Sequence, residues 1–158
     1  MIYNLTHMTD VDKIKKLRIQ TGAGIADCRK ALEECGNDLV KACSWLKKQG
    51  IDQAAKKQDR QVSAGIVESY IHLGGKLGVL VELNCETDFV AKTDEFKRLA
   101  HELAMQISAM NPKNVNQLLK QIYIRDPQIT IEELVKQHIT KFGENITVNR
   151  FYRMVLGE

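Results

Sequence analysis

The sequence predicts an α+β chain: an N-terminal three-helix bundle over 1–50, a linker over 51–63, then a three-stranded antiparallel sheet packed with helices over 64–158. Three observations predict it. Apolar residues recur at helical spacing through the first fifty residues, interrupted by glycine-bearing turns. The pattern then changes to strict alternation around Gly74-Gly75. Beyond it, two further helical stripes precede a final alternating run.

In the first helix Thr9 or Asp10 can act as cap, and Val11, Ile14 and Leu17 share a face. "TGAG", Thr21 to Gly24, stops it with a tight turn. The second helix sets Ile25, Cys28, Leu32 and Cys35 on one stripe and ends at Gly36. The third starts at Asn37 or Asp38, turns Leu39, Ala42, Cys43 and Leu46 inward, and ends near Gly50. Turns this short force the helices into a compact bundle. The polar run "IDQAAKKQDRQVSA" has no clear apolar stripe and reads as the linker.

"GIVESYIHL" and "KLGVLVELNC" flank the two glycines as a hairpin. Leu77, Val79, Val81, Leu83 and Cys85 alternate onto one face, and Leu80 on the other suggests a central strand. A long helix follows with Phe96, Leu99, Ala100, Leu103, Ala104, Ile107 and Met110 along one side, stopped by Pro112. Residues 114–127 yield no defined element, although Leu118, Leu119 and Ile122 can pack. The last helix has a capping box, Thr130 with Glu133, and a flanking staple, Ile129 with Leu134; it ends at Gly143. "NITVNRFYRMVL" is the third strand.

Composition narrows the functional classes. The chain has 158 residues, 44% hydrophobic and 27% charged, an ordinary globular mix able to bury a core. A net charge of +3, spread along the chain, does not argue for direct nucleic-acid binding. The basic linker residues Lys56, Lys57 and Arg60 read as solvated, without an aromatic strand platform for RNA. No apolar run reaches membrane-span length, and "MIYNLTHMTD" lacks the signal-peptide pattern. The expected location is the cytoplasm, or an organelle interior for a protein made there.

Enzyme signatures are missing: no G-x-S-x-G, no H-E-x-x-H, no Walker loop. We expect no catalytic residues, no metal site and no cofactor. The four cysteines, Cys28, Cys35, Cys43 and Cys85, form no C-x-x-C pair and read as core thiols. A Cys85 nucleophile with His72 as base is the one thiol-enzyme alternative, opposed by burial of the Leu77–Cys85 face. "TGAGIADCRKAL" could cradle a phosphate, but no strand precedes Thr21, which favours a plain inter-helix turn. An adaptor whose bundle binds ubiquitin-like or nascent chains is a further alternative.

The informative stretch is "NCETDFVAK", Asn84 to Lys92. Thr87 or Asp88 can cap a helix. Phe89 could close the core, yet the long helix has a full stripe without it. An aromatic beside a carboxylate at a strand–helix joint has the composition of an interface anchor.

"LRIQTGAGIADCRKAL", "AAKK", "GVLVELNCETDFVAK" and "KFGENITVNRF" occur in this order. Together they resemble bacterial and organellar translation elongation factor Ts across nearly the whole chain, most closely in its compact form. The resemblance implies a guanine-nucleotide exchange factor that binds the GTPase elongation factor Tu in its GDP-bound and nucleotide-free states, expels GDP and performs no bond-making chemistry. It implies that the bundle is of the ubiquitin-associated type and contacts the partner's nucleotide-binding domain through Arg18, Thr21, Gly22, Ala23, Gly24, Ile25 and Ala26. The family often has two methionines where Ile25 and Ala26 stand. It implies a wedge at Thr87, Asp88, Phe89, Val90 and Ala91, with Asp88 and Phe89 entering near the partner's magnesium and phosphate site. It also implies a homodimer through the core domain, using the Ile146 to Leu156 strand or the sheet face. The segment from Pro112 to Pro127 is shorter than in such relatives.

Overall fold

The computed structural model describes residues 10–55, 57–72 and 74–158, with 51–55 described by backbone only. Thr9 and Lys56 lie outside the described residues. The chain divides into two compact units, Met1–Gln53 and Ala54–Glu158.

The first unit holds α1 (Asp10–Thr21), α2 (Ile25–Glu34) and most of α3 (Leu39–Ala55). Its core is Leu17, Cys28, Ala31, Leu32, Ala42 and Leu46, with Ile14, Leu39, Cys35 and Cys43 packed against it. Asp38 caps α3: its Oδ1 accepts from the Val40 N–H at 2.9 Å and the Lys41 N–H at 3.1 Å. Two expectations are corrected. Val11 and Ile25, assigned to inner stripes, are exposed; each lies in the first turn of its helix, outside the small core that Leu17, Cys28 and Leu32 form. The third helix does not end at Gly50 but continues to Ala55. A glycine ends a helix by adopting positive φ, and Gly50 does not do so.

In the second unit β1 (Ala64–Ile71), β2 (Leu77–Cys85) and β5 (Ile146–Val155) form one sheet in the order β1-β2-β5, both pairings antiparallel. β2 is central, as its two-sided apolar content predicted. Val79, Val81, Leu83 and Cys85 turn inward against α5 (Asp94–Met110), whose Phe96, Leu99, Leu103 and Ile107 are buried. Met110, assigned to this stripe, is 49% exposed. It is the last helical residue, and Asn111 leaves the helix at φ 44°. α7 (Ile131–Phe142) adds Ile131, Leu134, Val135 and Ile139 to the same core; its capping box is present and Gly143 ends it at φ 75°.

The stretch left unassigned contains α6 (Val115–Lys120) and a small hairpin of β3 (Ile122–Tyr123) and β4 (Asp126–Thr130). Its organiser is Gln106, a fully buried polar side chain on α5. Its Nε2 donates to Ile122 O at 3.1 Å, and its Oε1 accepts from the Ile124 N–H at 3.0 Å. A buried amide must be satisfied, and here it is satisfied by holding a hairpin too short to be stable alone.

β5 carries a register shift opposite Glu82 and Leu83: Arg150 pairs with Glu82, but Val148 pairs with Leu83. Asn149 is therefore the extra residue of a bulge. Glu82 grips both sides of it, accepting from Asn149 Nδ2 at 2.8 Å and Arg150 Nε at 2.7 Å. These donors hold the Glu82 carboxyl below the usual carboxylate range.

Candidate functional site

The Thr87–Ala91 motif forms the joint between central strand and long helix. Thr87 is the N-cap of α4 (Asp88–Ala91), a helix of four residues, and its hydroxyl accepts from the Val90 N–H. A second cap follows at once: Thr93 Oγ1 accepts from the Phe96 N–H at 3.2 Å and starts α5. Two threonine caps in tandem split what could have been one continuous helix into a short turn and a long rod.

The structure divides the motif by exposure. Val90 and Ala91 are 4% and 3% exposed and belong to the core, so they root the short helix. Asp88 is exposed and Phe89 is 82% exposed. A phenylalanine so solvated in a four-residue helix with two core-anchored neighbours presents its ring on a rigid base. The bland alternative, in which Phe89 closes the core, does not hold, because Phe96 occupies that role at 0% exposure.

The second candidate surface lies on the first unit. Gly22 adopts φ 70° and its N–H donates to Arg18 O at 2.8 Å, closing α1. Thr21 Oγ1 donates to Leu17 O at 2.7 Å and accepts from the Ala23 N–H at 3.3 Å. Gly24, in extended conformation, is the N-cap of α2. The turn is thus internally satisfied, with Thr21, Gly22 and Ala23 half-buried and Arg18, Gly24, Ile25 and Ala26 exposed. Ile25 and Ala26 also line an open depression of about 700 Å³ along α2 with Arg29, Lys30, Glu33 and Glu34. Sequence reasoning missed Ile19, which is 85% exposed beside this turn. Its signal was available: Ile19 lies off the Ile14–Leu17 face of α1.

The thiol alternative fails on register. Cys85 pairs with Ala64, whereas His72 lies past Ile71, the partner of Gly78, at the opposite end of the hairpin. Cys85 is buried, and desolvation raises its thiol above the ordinary value, with nearby Glu144 adding to the effect. Burial likewise raises Cys28. We therefore expect iodoacetamide to modify half-exposed Cys35 and Cys43 first, with Cys28 and Cys85 at least about tenfold slower until guanidinium unfolds the chain. Intact-mass time courses check this, and rapid native labelling of Cys85 would restore the thiol reading. Among the described residues, no three His, Cys, Asp or Glu side chains converge as a metal site, and no helix is long and apolar enough to cross a membrane.

The described residues are a helical bundle and an α+β unit that exposes an aromatic–acid pair on a short helix rooted in its core. Comparison with known proteins finds one family along both parts of the chain. The family profile described as "Elongation factor TS" matches residues 86–158, and that described as "Elongation factor Ts, mitochondrial, N-terminal" matches residues 3–55. The chain is 43% identical to elongation factor Ts of Synechococcus sp. (strain JA-3-3Ab), covering 94% of this chain and 69% of that protein. It is 44% identical to the chloroplastic elongation factor Ts of Guillardia theta, covering 92% and 86%. It is 40% identical to that of Thermoanaerobacter sp. (strain X514), covering 96% of both. The chain belongs to the elongation factor Ts family, and so to the elongation factors of protein biosynthesis. The Synechococcus alignment runs over 195 positions, more than the 158 residues of this chain, so that relative holds segments with no counterpart here.

Proposed function

We propose that this chain is a guanine-nucleotide exchange factor for elongation factor Tu, with Asp88 and Phe89 as the lever that loosens the partner's magnesium and phosphate contacts. The observation that carries the reading is Phe89, 82% exposed on a helix whose next two residues are core. Exchange needs no covalent step. A factor that binds the loosened or empty state of a GTPase more tightly than the GDP state weakens GDP by the same factor. A phenylalanine that is solvated in the free protein and buried in the complex can supply roughly 2 kcal/mol of that difference. Asp88 brings a negative charge toward phosphates and a metal ion, where it competes for the cation and repels the nucleotide. The surface of Arg18, Thr21, Gly22, Ala23, Gly24, Ile25 and Ala26 supplies a second contact, anchored by Ile25. The test is release of a fluorescent GDP from purified elongation factor Tu. Strong acceleration supports the reading, and its absence with a well-matched partner removes it. The setting is the cytoplasm or an organelle interior.

The same chain is proposed to act as a homodimer through the outer sheet face. Across that face the register aligns Ile71–Gly78–Met154 and Ser69–Leu80–Tyr152 in adjacent rows. Ile71, Leu80, Tyr152 and Met154 are between 48% and 76% exposed. A contiguous apolar patch of this kind supports pairing with its own copy across a two-fold axis. Leu80→Lys places a charge at its centre and is expected to convert a sedimenting dimer to monomer. A wild-type chain that sediments as monomer at micromolar concentration counts against the dimer.

A further inference from the structure

The turn between α7 and β5 holds the residues in front of the lever from two directions. The Glu144 carboxylate accepts two hydrogens from Thr87, the backbone N–H at 3.0 Å on Oε2 and the hydroxyl at 2.6 Å on Oε1. In return, Glu86 Oε1 accepts the Asn145 N–H at 2.6 Å and lies 3.5 Å from Arg60 Nη1. Asn145 is 1% exposed, and its Nδ2 donates to the carbonyls of Gln58 at 3.1 Å and Arg60 at 2.8 Å. Adjacent residues on each side thus form a reciprocal clasp, Glu86 with Asn145 and Thr87 with Glu144.

A four-residue helix cannot sustain itself, because it closes too few backbone bonds to offset nucleation. In α4 those bonds are Ala91 N–H to Thr87 O at 3.2 Å and Lys92 N–H to Asp88 O at 3.1 Å. Its orientation must come from outside. Val90 and Ala91 fix the C-terminal half in the core. The N-terminal half, which carries Asp88 and Phe89, has Thr87 as its anchor. The Thr87 hydroxyl has one hydrogen and gives it to Glu144, which leaves a lone pair for the Val90 N–H at 3.4 Å. That cap bond is long, so the firm constraint on the cap residue is the charge-assisted pair to Glu144.

We propose that Glu144 is the positioning residue of nucleotide exchange: by clasping Thr87 it fixes the direction in which Asp88 and Phe89 project. The proposal rests on the reading of these two residues as the lever. Misplacing a reacting or displacing group by about 1 Å commonly costs one to two decades in rate.

The experiment measures GDP release from elongation factor Tu at rising concentrations of the full chain, for wild type, Glu144→Ala, Glu144→Gln, Phe89→Ala and Phe89→Ala/Glu144→Ala. Glu144→Ala is expected to lower the maximal release rate about tenfold and to move the half-saturating concentration less than about threefold. Glu144→Gln retains an acceptor for the Thr87 N–H and should recover to within about threefold of wild type. The double variant should be no slower than Phe89→Ala, since a lever without its ring gains nothing from being aimed. Amide hydrogen exchange in Glu144→Ala should rise over residues 87–92 and stay unchanged elsewhere in the second unit. Multiplying effects in the double variant, a Glu144→Ala rate equal to wild type, or loosening spread through the whole unit each overturn the positioning role. A Phe89→Ala variant as fast as wild type overturns the lever itself, and that result is read independently of Glu144.

Discussion

Phe89→Ala is expected to slow GDP release from elongation factor Tu by about thirtyfold at saturating factor, the equivalent of a hot-spot loss of roughly 2 kcal/mol. The direction follows from differential binding. The ring is 82% exposed in the free chain, so its truncation removes nothing that the fold uses, and thermal stability should stay within about 0.5 kcal/mol of wild type. In the proposed role, whatever the ring contributes is realised only against the partner. A lever that stabilises only the loosened state changes the maximal rate and leaves initial association with the GDP-bound partner nearly intact. Stopped-flow release at several factor concentrations separates the two. A Phe89→Ala variant that matches wild type would move attention to Asp88 and to the turn from Thr21 to Ala26. A variant with unchanged maximal rate but a much higher half-saturating concentration would make Phe89 a docking anchor rather than a lever.

Gly65→Ala is expected to be the most disruptive single-methyl change in the second unit. Gly65 lies on β1 opposite Asn84 of the central strand, at φ 153°. A Cβ built there would sit 2.3 Å from Leu83 O and 2.8 Å from Asn84 Cα, both backbone atoms of β2. Backbone cannot swing aside as the end of a side chain can, so β1 must separate from β2 or the glycine must change conformation. Either loses ladder bonds beside buried Leu83 and Cys85. We expect a loss of at least about 3 kcal/mol and a fall in melting temperature of roughly 10 °C or more. Gly74→Ala is the control. Gly74 also has positive φ, 86°, but a Cβ there would meet nothing within 4 Å, so only the conformational cost of about 1–2 kcal/mol applies. If the two variants melt together, small strand motion relieves the clash and backbone proximity does not set the cost.

Most of the fold was legible because local and global signals agree. Leu77 to Cys85 alternates, its central place follows from Leu80, and the Thr130–Glu133 capping box and Gly143 bracket α7 as written. What was not legible depends on contacts distant in sequence. The α6–β3–β4 region has little periodicity of its own, and its hairpin is held by Gln106 from another element. Met110 continues a helical stripe perfectly well in sequence, but the core ends before it. At the candidate site, the residue types of "TDFVA" suggested a cap and an anchor, and the structure assigns Thr87 to the first and leaves Phe89 solvated. The clasp from Glu144 and Asn145 was invisible, since it joins residues 57 and 59 positions apart in the chain.

The bulge at Asn149 has a consequence for how this strand can vary. On β5, Ile146 and Val148 face inward, whereas beyond the bulge the inward positions are Phe151, Arg153 and Val155. The extra residue shifts parity, and that shift sends Tyr152 and Met154 to the outer face. A regular ladder running through Asn149 would exchange the two faces over the rest of the strand, exposing Phe151 and Val155 and burying Tyr152 and Met154, whereas deleting Asn149 would remove the bulge and keep both faces. One bulged residue therefore sets which side chains of this strand belong to the interior and which to the outer face. Across descendants of this sequence, loss of Asn149 alone should be tolerated, while a one-residue insertion or deletion beyond the bulge, which does exchange the faces, should be nearly absent.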